Sequence, residues 1–495
     1  MTKQDFTDKA REIVFENKVV ILFLVITAFA FWVSEVSTVA FFSELFTRFG
    51  RNTFMVLALL IPVVAGLGLN FGIVIGAMSA QIAMFLVLLW GGNGVTGVFS
   101  VALLATPIAV VLGYLLGILF NNIKGSEMIG GLVARHFSEG FYQFIFLFLF
   151  GGIITINNPR VMTPTGVGVI NAIDLDVYPN YMRQVLDDVS MFHILNGAFF
   201  VMLAITVLVI GYRLIKRHPL NIFGPTGLFK ILTPTVLLTI GFIMTHTVPA
   251  FLLFTYQNRL NGVYASRLAA LILAGIVIYR WACERIAGRD DTTPTKRHQL
   301  HIALIAVGFL ITLLPEVANG LSHVGIPVFT YLLIGGLCFF IRWFLTTRLG
   351  QNMRTVGHDR AVATAAGINV NRTRIIAMIM STVLAAWGQI IIIQNFGVMI
   401  TYGAHAEVGV YAIAALLVGG ATVTKASVKH AIIGVLLFHA LFILAPMAGN
   451  RLMGSALIGE YFRVFVANAV IAFALIMHAW TRIKKRKITQ TSATA

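Results

Sequence analysis

Apolar runs separated by short polar breaks recur from residue 19 to residue 481. The pattern predicts helices over 19–42, 53–70, 74–91, 97–120, 127–153, 191–212, 231–254, 263–283, 299–318, 327–346, 373–395, 408–422, 429–447 and 461–481. About 20 apolar residues are needed to cross a hydrocarbon core of about 30 Å, and backbone polar groups at that depth must be satisfied within the segment. The expected fold is therefore an all-α, polytopic transmembrane helical bundle of about 14 helices. The ten-residue alternation of a membrane β-barrel is not seen.

Composition sharpens this picture: 58% of the residues are hydrophobic and 11% charged. The net charge of +17 is of the size that nucleic-acid binders carry, but the basic residues lie between apolar runs and at the carboxyl end rather than on one soluble face. They mark membrane topology and lipid headgroup contact, and no nucleic-acid partner is expected. With both termini cytoplasmic, the inward segments hold 27 of the 36 lysines and arginines, the outward segments eight, and Arg135 lies within a helix. This is the bias of the positive-inside rule. The first apolar run is too long for a signal-peptide core, so it is expected to be retained as the first membrane helix. Cys283 and Cys338 sit in or at the end of apolar runs and suggest neither a disulfide nor a metal site.

The chain divides into 1–153, 154–326, 327–482 and a basic tail 483–495. The second region joins a long outward loop, with Asp174, Asp176, Asp187 and Asp188, to the helices near 191–318. Residues 286–298 read as a solvated linker.

The chain has no phosphate-binding GxxxxGK[ST] loop, and its histidines show no paired ligand spacing. Neither catalysis nor a resident cofactor or metal is expected. What stands out is a break in a long apolar stretch, where Pro62 is followed by Gly66, Gly68, Asn70 and Gly72. Non-helical backbone at membrane depth belongs where it is buried in protein or lines a water-filled cavity, which points to a solute path. The competing reading is close packing along the small residues Gly72, Gly76 and Ala80. Gly113 and Gly117 fit packing alone. Gln81, Gln143 and Gln389 can bind a polar solute or bridge helices. Arg135 and Glu139, four apart, can pair on one helix face, either at membrane depth or at its cytoplasmic edge. His246, His439 and His478 read as hydrogen-bonded helix residues. The acids Glu35, Glu316 and Glu460 fall near predicted helix ends, which disfavours ion coupling, although an ion-coupled secondary carrier remains an alternative.

One stretch is far more polar than its surroundings. "TRLGQNMRTVGHDRAVATAAGINVNRTR", at 347–374, has five arginines and one aspartate. Gly357 and Gly367 flank a short helix, "HDRAVATAA", with Asp359 near its start. A structured, arginine-bearing cytoplasmic connection reads as a docking element for a soluble partner, because a mere connection needs only a few residues.

This region carries a resemblance. It is similar to the TxLGxxxxAxGxNxxAAxxxGINVxxxK segment of the permease subunits of ATP-binding-cassette importers of the ribose, galactose and nucleoside type. More distantly it resembles the branched-chain amino acid permeases. "YAIAALLVGGATV" at 411–423 is similar to their AIAAVVLGG signature, and "GLGLNFG" at 66–72 sits where they carry GxxLSxG. The resemblance implies a coupling helix over 357–368, with Gly357, Asp359, Arg360, Ala361, Ala366, Gly367 and Ile368 entering a groove of a cytoplasmic ATPase. It places Gly68, Asn70, Phe71 and Gly72 beside the solute path, with Gln81 added by its own polarity. It also implies ATP bound on the partner, an extracytoplasmic solute-binding protein, and a second permease subunit, identical or not. The solute would be a sugar, nucleoside or similar small polar molecule imported by alternating access; a branched-chain amino acid is the alternative. The chain departs from the family in the extra helices near 191–318, in "TVTKASVKH" after the paired glycines, and in His358.

Overall fold

A helix stands at the place of every predicted segment. The computed structural model describes residues 18–156, 158, 161–177, 181–215, 229–248, 259–286 and 292–493; residues 1–17, 216–228, 287–291 and the end of the predicted helix 231–254 lie outside them. Among the described residues the fold is all-α apart from two pairs of three-residue strands. By length and composition six helices can cross a membrane, or eight if each of two bent pairs is one span, and four shorter apolar helices accompany them. The chain is a multi-pass membrane protein.

Several boundaries differ from the sequence reading: the predicted linker 286–298 is helical from Thr292, and the predicted helix 299–318 is broken by an 80° bend between Ile311 and Pro315. Helix α1 (Lys18–Ser34) stops early and α2 (Thr38–Ala58) begins at once, continuing through α3 (Leu60–Val64), so the predicted loop 43–52 is helical. Its polar residues satisfy one another along the helix: Arg48 Nε meets Glu44 at 2.7 Å, and Asn52 donates to the Arg48 carbonyl at 2.9 Å. The final helix, α18 (Ala456–Ala493), runs through most of the predicted tail. A further difference, at 348–358, belongs to the site below.

The chain forms two compact units, 1–185 with 333–495, and 186–332. In the first unit the core lies around two short helices, α4 (Ile73–Leu89) and α16 (Ala404–Val418), both largely buried. Each is preceded by non-helical backbone, 65–72 and 397–403, and followed by a long helix, α5 (Gly94–Asn122) and α17 (Val428–Met453). A long helix also precedes each break: α2–α3 in one case and α15 (Val370–Phe396) in the other. The two triplets point in opposite senses. Segment 65–72 touches Gly357 and Val423, at what we call the proximal end. Segment 397–403 carries β4 (Val398–Ile400), paired antiparallel with β1 (Ala172–Asp174) of the long loop, at the distal end. This is the arrangement of an inverted repeat.

Small residues let these helices approach. A Cβ at Gly113 would lie 2.1 Å from Thr382 Oγ1, one at Gly117 3.0 Å from Ile375 Cα, and one at Gly76 2.5 Å from the Thr382 carbonyl. Thr382 uses that closeness, donating from Oγ1 to the Ala109 carbonyl at 3.0 Å.

In the second unit α7 (Met191–Ile215) and α8 (Phe229–Thr247) pack through stacked Phe199 and Phe242, 4.4 Å between centroids, and through Thr206 and Thr235, 2.8 Å between hydroxyls. Helices α9 (Gly262–Ile286), α10 (Thr292–Ile311) and α11 (Pro315–Ser322) follow. Strand β2 (Arg259–Asn261) pairs antiparallel with β3 (Gly325–Pro327). Asp187 is buried and accepts from Thr330 Oγ1 at 2.5 Å.

Candidate coupling segment and solute path

The polar stretch opens with a helix that the sequence reading left as connection. After α12 (Val328–Phe344) the chain turns by 75° into α13 (Arg348–His358). Gly350, Met353 and Val356, three apart, are its buried face, which is why it folds against the unit rather than standing as a loop. The short helix expected next is α14 (Arg360–Ala365). Asp359 is its N-cap, with Oδ1 accepting from the Ala361 and Val362 amides at 2.7 and 3.1 Å. At the other end Gly367 N donates to the Thr364 carbonyl and Ile368 N to the Ala363 carbonyl. This reverse turn needs the left-handed φ of +74° that Gly367 supplies. Between the caps Ala363 is buried, whereas Ala361, Val362, Thr364, Ala365 and Ala366 are exposed, so α14 presents a small apolar face. Asp359→Ala is expected to cost about 1 kcal/mol of local helix stability. Hydrogen exchange at the amides of 361–366 should speed up accordingly, and protection equal to wild type would count against the cap.

Gly357 and Arg360 face the other way, into the bundle. A Cβ at Gly357 would sit 2.0 Å from the Val64 carbonyl, so only glycine lets the α13–α14 elbow meet the turn after α3. Arg360 Nη2 donates to the Gly66 carbonyl at 3.3 Å and to Glu127 Oε1 at 2.5 Å. Glu127 opens α6 (Glu127–Phe144) and also accepts on Oε1 from Arg374 Nη2 at 2.6 Å; its Oε2 takes the Gly125 amide at 2.9 Å. Arg374, near the start of α15, is wholly buried and also donates to the Phe120 carbonyl at 3.1 Å. One carboxylate thus joins the exposed short helix, the 65–72 turn and the base of α15.

The solute-path residues divide into two places. Gly68, in a left-handed turn, faces Met128 and Val423 at the proximal end. Asn70 is wholly buried, with Nδ2 3.4 Å from Ser381 Oγ on α15 and Oδ1 unpartnered within the protein; Phe71 is buried beside it, and Gly72 packs on Leu116. Gln81 is apart from these. It lies eleven residues on from Asn70, and its Nε2 donates to the Ile400 carbonyl of the distal break at 3.0 Å.

Of the other polar candidates, Gln389 is buried with Oε1 unpartnered, and Gln143 is half-exposed. Arg135 and Glu139 do not pair; Glu139 lies 4.0 Å from His136 instead. His246 is hydrogen-bonded within its helix to the Phe242 carbonyl at 2.8 Å. The side chain of His478 lies outside the described residues.

Sequence reasoning missed Glu127, Arg374, Tyr142 and His405. Glu127 had a visible signal, an acid opening an apolar run in a chain with 19 acids and 36 bases. Arg374 was seen only as one of five arginines.

The family described as the branched-chain amino acid transport system permease component matches residues 189–477, and the chain belongs to that family. It is therefore an ATP-binding-cassette transporter permease. The match runs through the helices near 191–318. The chain is 25% identical over 255 residues to the high-affinity branched-chain amino acid transport system permease protein LivH of Salmonella typhimurium, covering 45% of this chain and 80% of that protein. It is 31% identical over 156 residues to the ribose import permease protein RbsC of Escherichia coli K12, covering 31% of this chain and 46% of that one. No solved structure matches it.

Proposed function

We propose that this chain is the membrane subunit of an importer that moves a small polar solute, a sugar or nucleoside, into the cytoplasm by alternating access in a bacterial inner membrane. The proximal end is the cytoplasmic one, as the distribution of basic residues supports. An ATPase subunit grips α14, a solute-binding protein delivers at the distal end, and a second permease, identical or not, completes the channel. Neither ATP nor any cofactor is held by this chain.

The observation that carries the reading is the doubly capped α14, whose outer face is apolar and free while Arg360 beneath it is tied to the 65–72 turn. A second reading, a branched-chain amino acid solute, is favoured by the larger share of LivH that is matched.

Val362 is the test residue, because it is 58% exposed and touches none of the internal linkage. With Val362→Glu, co-purification of the ATPase with the permease is expected to fall at least tenfold, together with ATP-driven uptake, while expression and chromatographic profile stay normal. Undiminished co-purification would remove α14 as the docking element.

A further inference from the structure

We infer that Gln81, Tyr142 and His405 form a solute-binding site between α4, α6 and α16, and that it takes an uncharged, hydroxyl-bearing molecule. The inference rests on the permease reading above and deepens it.

The three side chains come from distant parts of the sequence and meet at one depth. Helices α4 and α6 run side by side in the same direction, since Gly131 lies near the Phe71 and Gly72 amides while Phe146 meets Phe85 at 5.1 Å between centroids. Gln81 and Tyr142 each lie four residues, about one turn, before that aromatic pair. The His405 ring is 4.8 Å from the Tyr142 ring, and the Ile400 carbonyl that holds the Gln81 amide lies five residues before His405. Gln81 and His405 are 0% exposed and Tyr142 is 1% exposed. Yet Gln81 Oε1, Tyr142 Oη and both His405 ring nitrogens have no partner within the protein.

A buried polar atom without a partner costs on the order of 1–3 kcal/mol, and chance rarely gathers four in one place. The chemistry of the four atoms defines the guest. An amide oxygen accepts, a phenol does both, and a neutral imidazole offers one donor and one acceptor. Together they suit adjacent hydroxyl groups, with the Tyr142–Phe146 stack, 4.3 Å between centroids, as an apolar wall. An amino acid is a poor fit, because its ammonium and carboxylate would need counter-charges. Of the charges on the same helix, Glu139 is turned toward the exposed His136. Arg135 lies seven residues from Tyr142 and its charge reaches His405, so a carboxylate has one cation near it while an ammonium has no acid turned toward it.

The test is saturation-transfer difference NMR on the full chain in lipid nanodiscs, with D-ribose, adenosine and L-leucine as probes. Transfer to D-ribose or adenosine is expected at least fivefold above that to L-leucine, and it should fall at least fivefold in Gln81→Leu and His405→Leu. Tyr142→Phe removes a single oxygen and serves if the leucine variants fail to fold. Equal or stronger transfer to L-leucine, no transfer to any probe, or transfer retained in the variants would overturn the assignment. Basal ATP hydrolysis by the complex of wild-type permease with its ATPase is read alongside. If it is present while the hydroxylated probes fail, this site alone falls; if it is missing, the permease reading falls and takes the site with it.

Discussion

Glu127→Ala should be the most damaging single substitution in the first unit. It leaves the wholly buried Arg374 with the Phe120 carbonyl as its one remaining partner, since Nε and Nη1 already have none within the protein. Removing one partner of a buried ion pair costs about 3–5 kcal/mol, because the surviving charge stays desolvated. The detergent-solubilised chain should therefore lose its monodisperse peak at a markedly lower temperature than wild type. A control separates charge from packing. Replacing both partners with apolar residues, Glu127→Leu with Arg374→Met, should recover most of the loss, as buried pairs often tolerate such exchange. Arg360 is a third exposed and can turn to water in that variant. Glu127→Ala melting like wild type would show that the carboxylate bears no structural weight. A double variant no better than the single would show that packing, not charge, is what the site needs.

Gly357→Val should abolish transport at least tenfold. The new Cβ would fall 2.0 Å from the Val64 carbonyl and 3.0 Å from the Gly66 amide, and both are backbone atoms that no rotamer change can move. The elbow would have to lift off the 65–72 turn, taking the Arg360 bond to the Gly66 carbonyl with it. Hydrolysis by the bound ATPase should persist while solute uptake stops, because α14 and its outer face are untouched. Gly197→Ala, in α7, is the matched control: nothing lies within 4 Å of its Cβ, and the helix should gain up to about 1 kcal/mol. Uptake at the wild-type rate in Gly357→Val would mean that the elbow transmits nothing.

Much of this was legible from residue order. Long apolar runs declare helices because the membrane allows little else, so every predicted segment has its helix. The short helix at 360–365 was visible through its own punctuation, Asp359 and Gly367. The errors have physical causes. Ser43, Glu44, Arg48 and Asn52 look like a loop by polarity, yet they recur at helical spacing and bond along the axis. Segment 348–358 is polar overall, and its buried face rests on one glycine and two apolar residues three apart. Tertiary convergence was out of reach. Nothing local says that Glu127 meets Arg360 and Arg374, or that Tyr142 and His405 stand together, because those contacts join residues more than 230 positions apart.

The hydrogen bond from Gln81 to the Ile400 carbonyl ties the middle of α4 to the backbone of the distal break. It is 3.0 Å long and is carried by a side chain with three rotatable bonds, so α4 can shift a little before the bond strains. In the importer proposed above, a larger movement of α4 would pull the distal ribbon with it or break the tie.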